Sequence, residues 1–359
     1  MSGSVTPFKR VMAAINLSQV DRVPVVPQIT YATSQFLGVK FHKPMFDSVL
    51  MARALWAGYE RLGYDGIFVG WESSFNLIAE SMGCELRIFE DQNPSVVKGV
   101  INRPQDLKEV KLPDPEKDGR LPVYLKAIDI LKSKARGDVP LISYVPGPLT
   151  LSGVLYGLEK LMFDIIKNPG FVHRLSRFTT SASQEFAVAK AIHGADIVVV
   201  ADPTASTDLI SPAMFEDLAF PYIKEVIRAI DEAGAVPSLH ICGNTSPILE
   251  KMVDTGAKVL ELDEKVDLGE AKKRVGMRIC LMGNVDTTLL LRGRPADVEL
   301  KAKDCIDKAA SGSGFILSSG CEIPLKTPID NLRSMVQAAK KYGGYHDYET
   351  ETGIQRSVL

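Results

Sequence analysis

The sequence predicts an α/β fold, a single (β/α)8 barrel with an elaborated connection between its second and third strands. Three observations carry this. Short β-branched runs alternate with amphipathic segments along 359 residues, the pattern of parallel strands joined by crossover helices. Eight such runs occur, each followed by room for a helix. The runs are nearly continuous in apolar residues, as strands buried on both faces must be.

In chain order the expected strands are Pro24–Ile29, Asp65–Gly70, Pro140–Val145 and Asp196–Ala201, then Pro237–Cys242, Lys258–Asp263, Ile279–Asn284 and Gly314–Ser319. Thr6-Pro7, Ser211-Pro212 and Thr327-Pro328 each pair an N-cap hydroxyl with proline at the first helical position. Met214–Glu232 carries apolar residues at helical spacing, with Gly234 as its C-cap. About 70 residues separate the second and third strands, too many for a minimal crossover, and they include an expected hairpin near Leu86–Val100 and a Pro/Asp/Lys-rich loop near Leu112–Gly119. No linker or repeat interrupts the pattern, so residues 1–359 read as one TIM-barrel domain with a frayed tail over 343–359.

Composition narrows the function. With 42 Lys+Arg against 44 Asp+Glu, a net charge of -2 and a pI near 6.3, the chain has no basic field for a nucleic-acid backbone. No run of 18 apolar residues would span a membrane, and the N-terminus lacks the apolar stretch of a signal peptide. Five cysteines do not make a disulfide framework. The expectation is a soluble, cytoplasmic protein.

The strongest chemical signal is His240-Ile241-Cys242. On a strand, residues two apart share a face, so ring and thiol converge at the C-terminal end of the fifth expected strand, where barrels place their chemistry. Cys321, after the eighth strand, joins them from a Gly-flanked turn. One His and two Cys are three ligands of a tetrahedral Zn2+ site whose fourth place is left for water, a carboxylate or substrate. Such a centre is formally neutral and soft, suited to a further thiolate. Asp263 and Glu264 are the nearest candidates for a displaceable fourth ligand, or simply an acidic turn. We take Glu264, with His240, Cys242 and Cys321, as the catalytic and metal-binding set.

Asp202, Asn284 and Asp286 close other strands and are candidates for substrate binding, although each residue type is also common in caps and turns. Tyr31 and Trp71, with Phe75, Tyr144 and Tyr156, fall near strand ends and are candidate pocket walls or plain core. Cys84, Cys280 and Cys305 read as small buried hydrophobes. His42, His173, His193 and His346 have no neighbours at ligand spacing, and nucleotide-binding glycine loops are absent.

The runs Val145–Leu151 (VPGPLTL), Leu239–Asn244 (LHICGN) and Gly283–Asp286 (GNVD) resemble the uroporphyrinogen decarboxylase superfamily, with the order of elements matching from about Thr6 to Tyr342. That resemblance implies one of two activities: metal-free decarboxylation of uroporphyrinogen, or zinc-dependent methyl transfer involving a corrinoid (cobalamin). The decarboxylases carry an arginine-rich stretch after the first strand; here it reads Pro27-Gln28-Ile29-Thr30-Tyr31-Ala32. Their catalytic Asp, conserved Tyr and last-loop His fall at Ser74, Val154 and Gly320. His240, Cys242 and Cys321 instead match the zinc pattern of the methyltransferase branch, similar to methylcobamide:coenzyme M methyltransferases and corrinoid-dependent O-demethylases. The resemblance therefore implies methyl transfer between a corrinoid-binding protein, docked at the barrel mouth, and a small thiol or methoxylated aromatic. Uroporphyrinogen decarboxylation is the alternative.

Overall fold

The computed structural model describes residues 5–19, 21–70 and 73–345. Seven strands form one parallel sheet: β1 (Ile67–Val69), β4 (Leu141–Pro146), β5 (Ile197–Ala201), β6 (Val236–Ile241), β7 (Val259–Leu262), β8 (Cys280–Val285) and β9 (Phe315–Ser319), hydrogen-bonded in that order. A separate antiparallel hairpin, β2 (Glu85–Arg87) and β3 (Ser95–Lys98), lies in the long connection where one was expected.

The first expected strand, Pro24–Ile29, is corrected: it forms only a bridge. Val25 pairs in parallel with Leu317 of β9. Leu317 donates its N–H to the Pro24 carbonyl and accepts from Val26, both at 2.9 Å. On the other edge the Asp65 N–H donates to the Val25 carbonyl at 2.7 Å, while an Asp65 carboxylate oxygen accepts from Val25 N at 2.8 Å. Pro24 and Pro27 have no N–H, so a regular ladder is impossible. Side chains stand in for it: Ser318 Oγ donates to Val26 O at 2.7 Å, and Ser319 Oγ accepts from Gln28 N at 3.2 Å. Asp65 is 1% exposed and also accepts from the guanidinium groups of Arg10 (2.7 Å) and Arg22 (2.8 and 3.0 Å), binding the seam at its base.

Two cores result. The barrel interior holds Val26, Phe68, Ile142, Val199, Met282 and Ile316, and helix Pro7–Ile15 closes its floor with Val11, Ala14 and Ile15. This helix is tied to the N-terminal side of the strands, since Phe8 N donates to the carbonyl of Asp138, ahead of β4. The larger core lies between the strands' outer faces and the surrounding helices, with Leu55, Ile128, Phe186, Ile223 and Leu332 among its members.

Three boundaries differ from expectation. Met214–Glu232 is two helices, Pro212–Leu218 and Phe220–Glu232, parted at Ala219 because Pro221 cannot continue the hydrogen-bond ladder. The last helix, Ile329–Tyr342, starts with Pro328 as its N-cap, one residue later than the Thr327-Pro328 pair suggested. The chain after Tyr342 is not loose from 343 onward: Gly344 bridges to Arg22 and Tyr345 is buried; residues 346–359 lie outside the described residues. Among the described residues no helix is long and apolar enough to cross a membrane.

Candidate metal centre

Strand β6 alternates, so Ser238 and His240 share the inward face, and the chain leaves the strand at Cys242. Across the barrel mouth β9 ends at Ser319 and turns through Gly320 into Cys321. The Gly320 turn needs its missing side chain: a Cβ there would stand 2.5 Å from Glu264 Oε2 and 2.7 Å from Glu264 N.

The two ends bring three donors together. Cys242 Sγ lies 3.5 Å from Cys321 Sγ, and His240 Nε2 lies 2.9 Å from the first sulfur and 3.9 Å from the second. A tetrahedral zinc ion with bonds of about 2.3 Å to sulfur and about 2.0 Å to nitrogen needs ligand edges of about 3.8 Å (S–S) and about 3.5 Å (N–S). The donor types fit, and the S–S edge of 3.5 Å and the N–S edges of 2.9 and 3.9 Å lie within about 0.6 Å of those values, so small side-chain shifts would close the site. Among the described residues this is the set of His, Cys, Asp or Glu ligand atoms lying within 4.8 Å of one another.

The electrostatics agree. The Cys242 sulfur and burial together hold the Cys321 thiol well above its ordinary range. A cation between the sulfurs reverses that sign, because it stabilises the thiolate. Burial alone pulls the His240 ring down, but Cys321, Glu261 and Asp263 outweigh it and hold the imidazole above its usual value. Glu261 is buried on β7, directly opposite His240 in register, and burial raises its carboxyl.

The other candidates divide. Glu264 is half-buried beside Gly320, and its Oε2 has no hydrogen-bond partner among the described residues, but it is not part of the three-ligand set. Burial, then Asp263 and Asp286, raises its carboxyl. Asp202 is fully buried and caps a helix rather than facing the mouth. Its oxygens accept from Leu149 N (3.2 Å), Thr150 N (2.8 Å) and Thr150 Oγ1 (2.6 Å) at the start of helix Pro148–Tyr156. Asn284 is also inside, donating to the carbonyls of Asp263 (2.9 Å) and Val266 (2.7 Å) and so holding the turn that carries Glu264. Asp286 caps helix Thr287–Arg292, accepting from Thr288 N and Leu289 N. Tyr31 is buried with its hydroxyl 2.5 Å from that of Tyr124. Trp71 lies outside the described residues.

Some residues of the site were not singled out in the sequence. Glu261 was detectable as a lone acid within the apolar run Val259-Leu260-Glu261-Leu262. Glu322, next to Cys321, accepts from Thr30 Oγ1 (2.5 Å) and from Asn93 Nδ2 (3.1 Å), and burial pushes its carboxyl up to about 7. Asn93 belongs to the tip of the β2–β3 hairpin, which also reaches Lys326 through Asp91 at 2.9 Å. The hairpin therefore overhangs the rim that carries Cys321.

Known proteins are similar to this chain over nearly its whole length. The chain is 32% identical over 342 residues to the methylcobamide:CoM methyltransferase MtbA of Methanosarcina mazei, covering 94% of this chain and 98% of that one. It is 29% identical over 364 residues to a methylated-thiol–coenzyme M methyltransferase of the same organism, covering 99% and 96%. The solved structure of a methyltransferase from Methanosarcina mazei superposes with a TM-score of 0.86 at 30% identity, covering 94% of this chain and 99% of that one. The uroporphyrinogen decarboxylase (URO-D) family matches residues 6–342, and the chain belongs to that family.

Proposed function

We propose that this chain is a zinc-dependent methyltransferase that moves a methyl group between a corrinoid carried by a partner protein and a small thiol. The observation that carries the reading is the convergence of His240, Cys242 and Cys321 from two strand ends at the barrel mouth. The methyltransferase relatives, similar over nearly their whole length, support it. A zinc ion held there supplies a soft Lewis acid that lowers the pKa of a bound thiol and so favours the nucleophilic thiolate at neutral pH.

The protein's own groups arrange the rest. His240 and Cys242 are fixed by β6, and Cys321 by the turn at Gly320, so the donors are set by backbone rather than by flexible side chains. Glu264, its Oε2 without a hydrogen-bond partner among the described residues beside that turn, would be a fourth, oxygen ligand to the metal, weaker than the sulfurs and so exchangeable for a thiol. The floor of the barrel is closed by helix Pro7–Ile15, so the donor set is reached from the C-terminal ends of the strands. There the corrinoid protein docks. A methoxylated aromatic would use the same metal with transfer in the opposite direction; the two-sulfur donor set favours the thiol.

Uroporphyrinogen decarboxylation is disfavoured by the same rim. Pro27–Ala32 carries no cation; Gln28 is fully buried and Thr30 donates its hydroxyl to Glu322. A substrate with many carboxylates needs paired cations.

The test is metal analysis of the purified protein together with methyl transfer from methylcobalamin to a panel of thiols. The expected result is one zinc per chain and thiol methylation abolished in Cys242→Ser. Protein without zinc, or full transfer by Cys242→Ser, refutes the proposal, and conversion of uroporphyrinogen to coproporphyrinogen establishes the alternative.

A further inference from the structure

We infer that Glu261 is a positioning residue for the metal centre: its buried carboxylate keeps the His240 ring protonated at Nδ1 and leaves Nε2 as the ligand atom. The inference rests on the metal-binding reading above.

The geometry divides the two ring nitrogens. Nε2 faces the sulfurs of Cys242 and Cys321, at 2.9 and 3.9 Å. Nδ1 lies 3.9 Å from Glu261 Oε2, longer than a direct hydrogen bond but near enough for the carboxylate's charge to bias which nitrogen holds the proton, both side chains being almost wholly buried. A neutral imidazole carries one N–H, and its partner decides which nitrogen keeps it. With the proton on Nε2, an N–H would point at the sulfurs and a lone pair would face the carboxylate. Glu261 disfavours that tautomer and favours the one that leaves Nε2 open to a cation.

The carboxylate is itself held. Oε1 accepts from Ser238 Oγ at 3.1 Å, and Oε2 accepts from the Tyr144 hydroxyl at 3.0 Å. The Tyr144 ring stacks on Phe68, with centroids 5.1 Å apart and planes 11° apart. Donors from β4 and β6 thus fix an acid on β7 that lies opposite His240 in the sheet register. Val259, Leu260 and Leu262 of the same strand are apolar, and a carboxylate among them is costly to bury for packing alone.

The competing explanation is a structural hub joining three strands, and Glu261→Gln separates the two. Glutamine keeps the size and hydrogen-bonding capacity, and hydroxyls satisfy it as donor or acceptor, but the charge is lost and its amide can donate to Nδ1. Zinc affinity is measured by competition with a chromophoric chelator, alongside the ligand-field spectrum of the cobalt(II)-loaded protein and the melting temperature of the metal-free protein. The expectation is a fall in zinc affinity of about 10- to 100-fold in Glu261→Gln, a shifted cobalt spectrum, little change in metal-free melting and partial recovery in Glu261→Asp. Zinc affinity within about twofold of wild type in a folded Glu261→Gln overturns the inference while leaving the metal site standing. If that variant does not fold, Tyr144→Phe removes only the hydroxyl steadying Oε2 and is read the same way: weakened zinc binding supports the inference, unchanged binding overturns it. A wild-type protein that takes up no zinc overturns the metal reading itself.

Discussion

Replacing Gly320 by alanine tests whether the turn beside Cys321 is as tight as the structure has it. The added Cβ would stand 2.5 Å from Glu264 Oε2 and 2.7 Å from Glu264 N. Ordinary carbon contacts begin at about 3.5 Å, so the two turns must part by about 0.8 Å at the backbone nitrogen. The carboxylate can swing away, but the backbone is pinned: Asn284 holds the carbonyls of Asp263 and Val266, and Lys265 N donates to Asp263 Oδ1 at 3.0 Å. Overpacking of this kind costs about 1–3 kcal/mol. For 359 residues, at about 2.1 cal/mol/K of unfolding entropy per residue, that is a fall of about 1–4 °C in Tm. Cys321 is the next residue, so strain borne in the zinc-loaded state lowers metal affinity tenfold for each ~1.4 kcal/mol. Thermal melts of the metal-free protein and chelator competition read the two effects separately. A Gly320→Ala protein with wild-type melting and wild-type zinc affinity would refute the reasoning, because it would show the Glu264 turn yielding without cost.

Other perturbations give equally definite expectations. Asp65→Ala removes a shared partner of the buried Arg10 and the part-buried Arg22 and leaves the Val25 N–H unpaired, so denaturant unfolding is expected to show a loss of about 3 kcal/mol; a loss under about 1 kcal/mol would mean the seam is closed by other means. Burial, only partly offset by hydrogen bonds from Thr150 and Leu149, raises the Asp202 carboxyl from 3.8 to about 6. A raised carboxyl stabilises the fold below its unfolded value, and that contribution is lost as pH climbs through about 6; the shift is worth about 3 kcal/mol. Wild type should therefore lose about 2 kcal/mol more stability than Asp202→Asn between pH 4 and pH 7, the rest of the effect lying below pH 4, and parallel pH profiles would contradict this. In the folded, metal-free protein an alkylating reagent should modify the part-exposed Cys242 ahead of the buried Cys84, Cys280 and Cys305, and zinc should protect it; peptide mapping that finds Cys305 modified first would contradict the placement.

Much of this was legible before any coordinates. Seven strands announced themselves because a strand covered on both faces has no polar face to alternate with, and His240 with Cys242 stood out because a period of two converts spacing into direction. Pro24–Ile29 misled for the opposite reason. Its apolar residues fit a strand, yet its prolines remove the donors a ladder needs, and the substitutes, Asp65 and Ser318, lie far away in sequence. Asp202, Asn284 and Asp286 show that a polar residue at a strand end has structural work as well as any contact with substrate. Each sits where a substrate contact would, but nearby backbone groups need partners and take them up. Glu261 is visible in the sequence as a lone acid in an apolar strand, but its role is not, because only the register against β6 reveals what it faces. His193 gave no signal, because its partners Glu116 and Asp129, at 2.9 Å each, come from the long connection and the helix after it.

The helix that corks the bottom of the cylinder has a kinetic meaning. With Val11, Ala14 and Ile15 plugging one end, the described residues close the barrel on its N-terminal side and leave the C-terminal ends of the strands as the approach. A bulky macrocycle on a carrier would stopper that approach once seated. On the proposed function, the small co-reactant would then bind before the carrier and its methylated form would leave after it, an order that steady-state kinetics with both reactants varied would reveal.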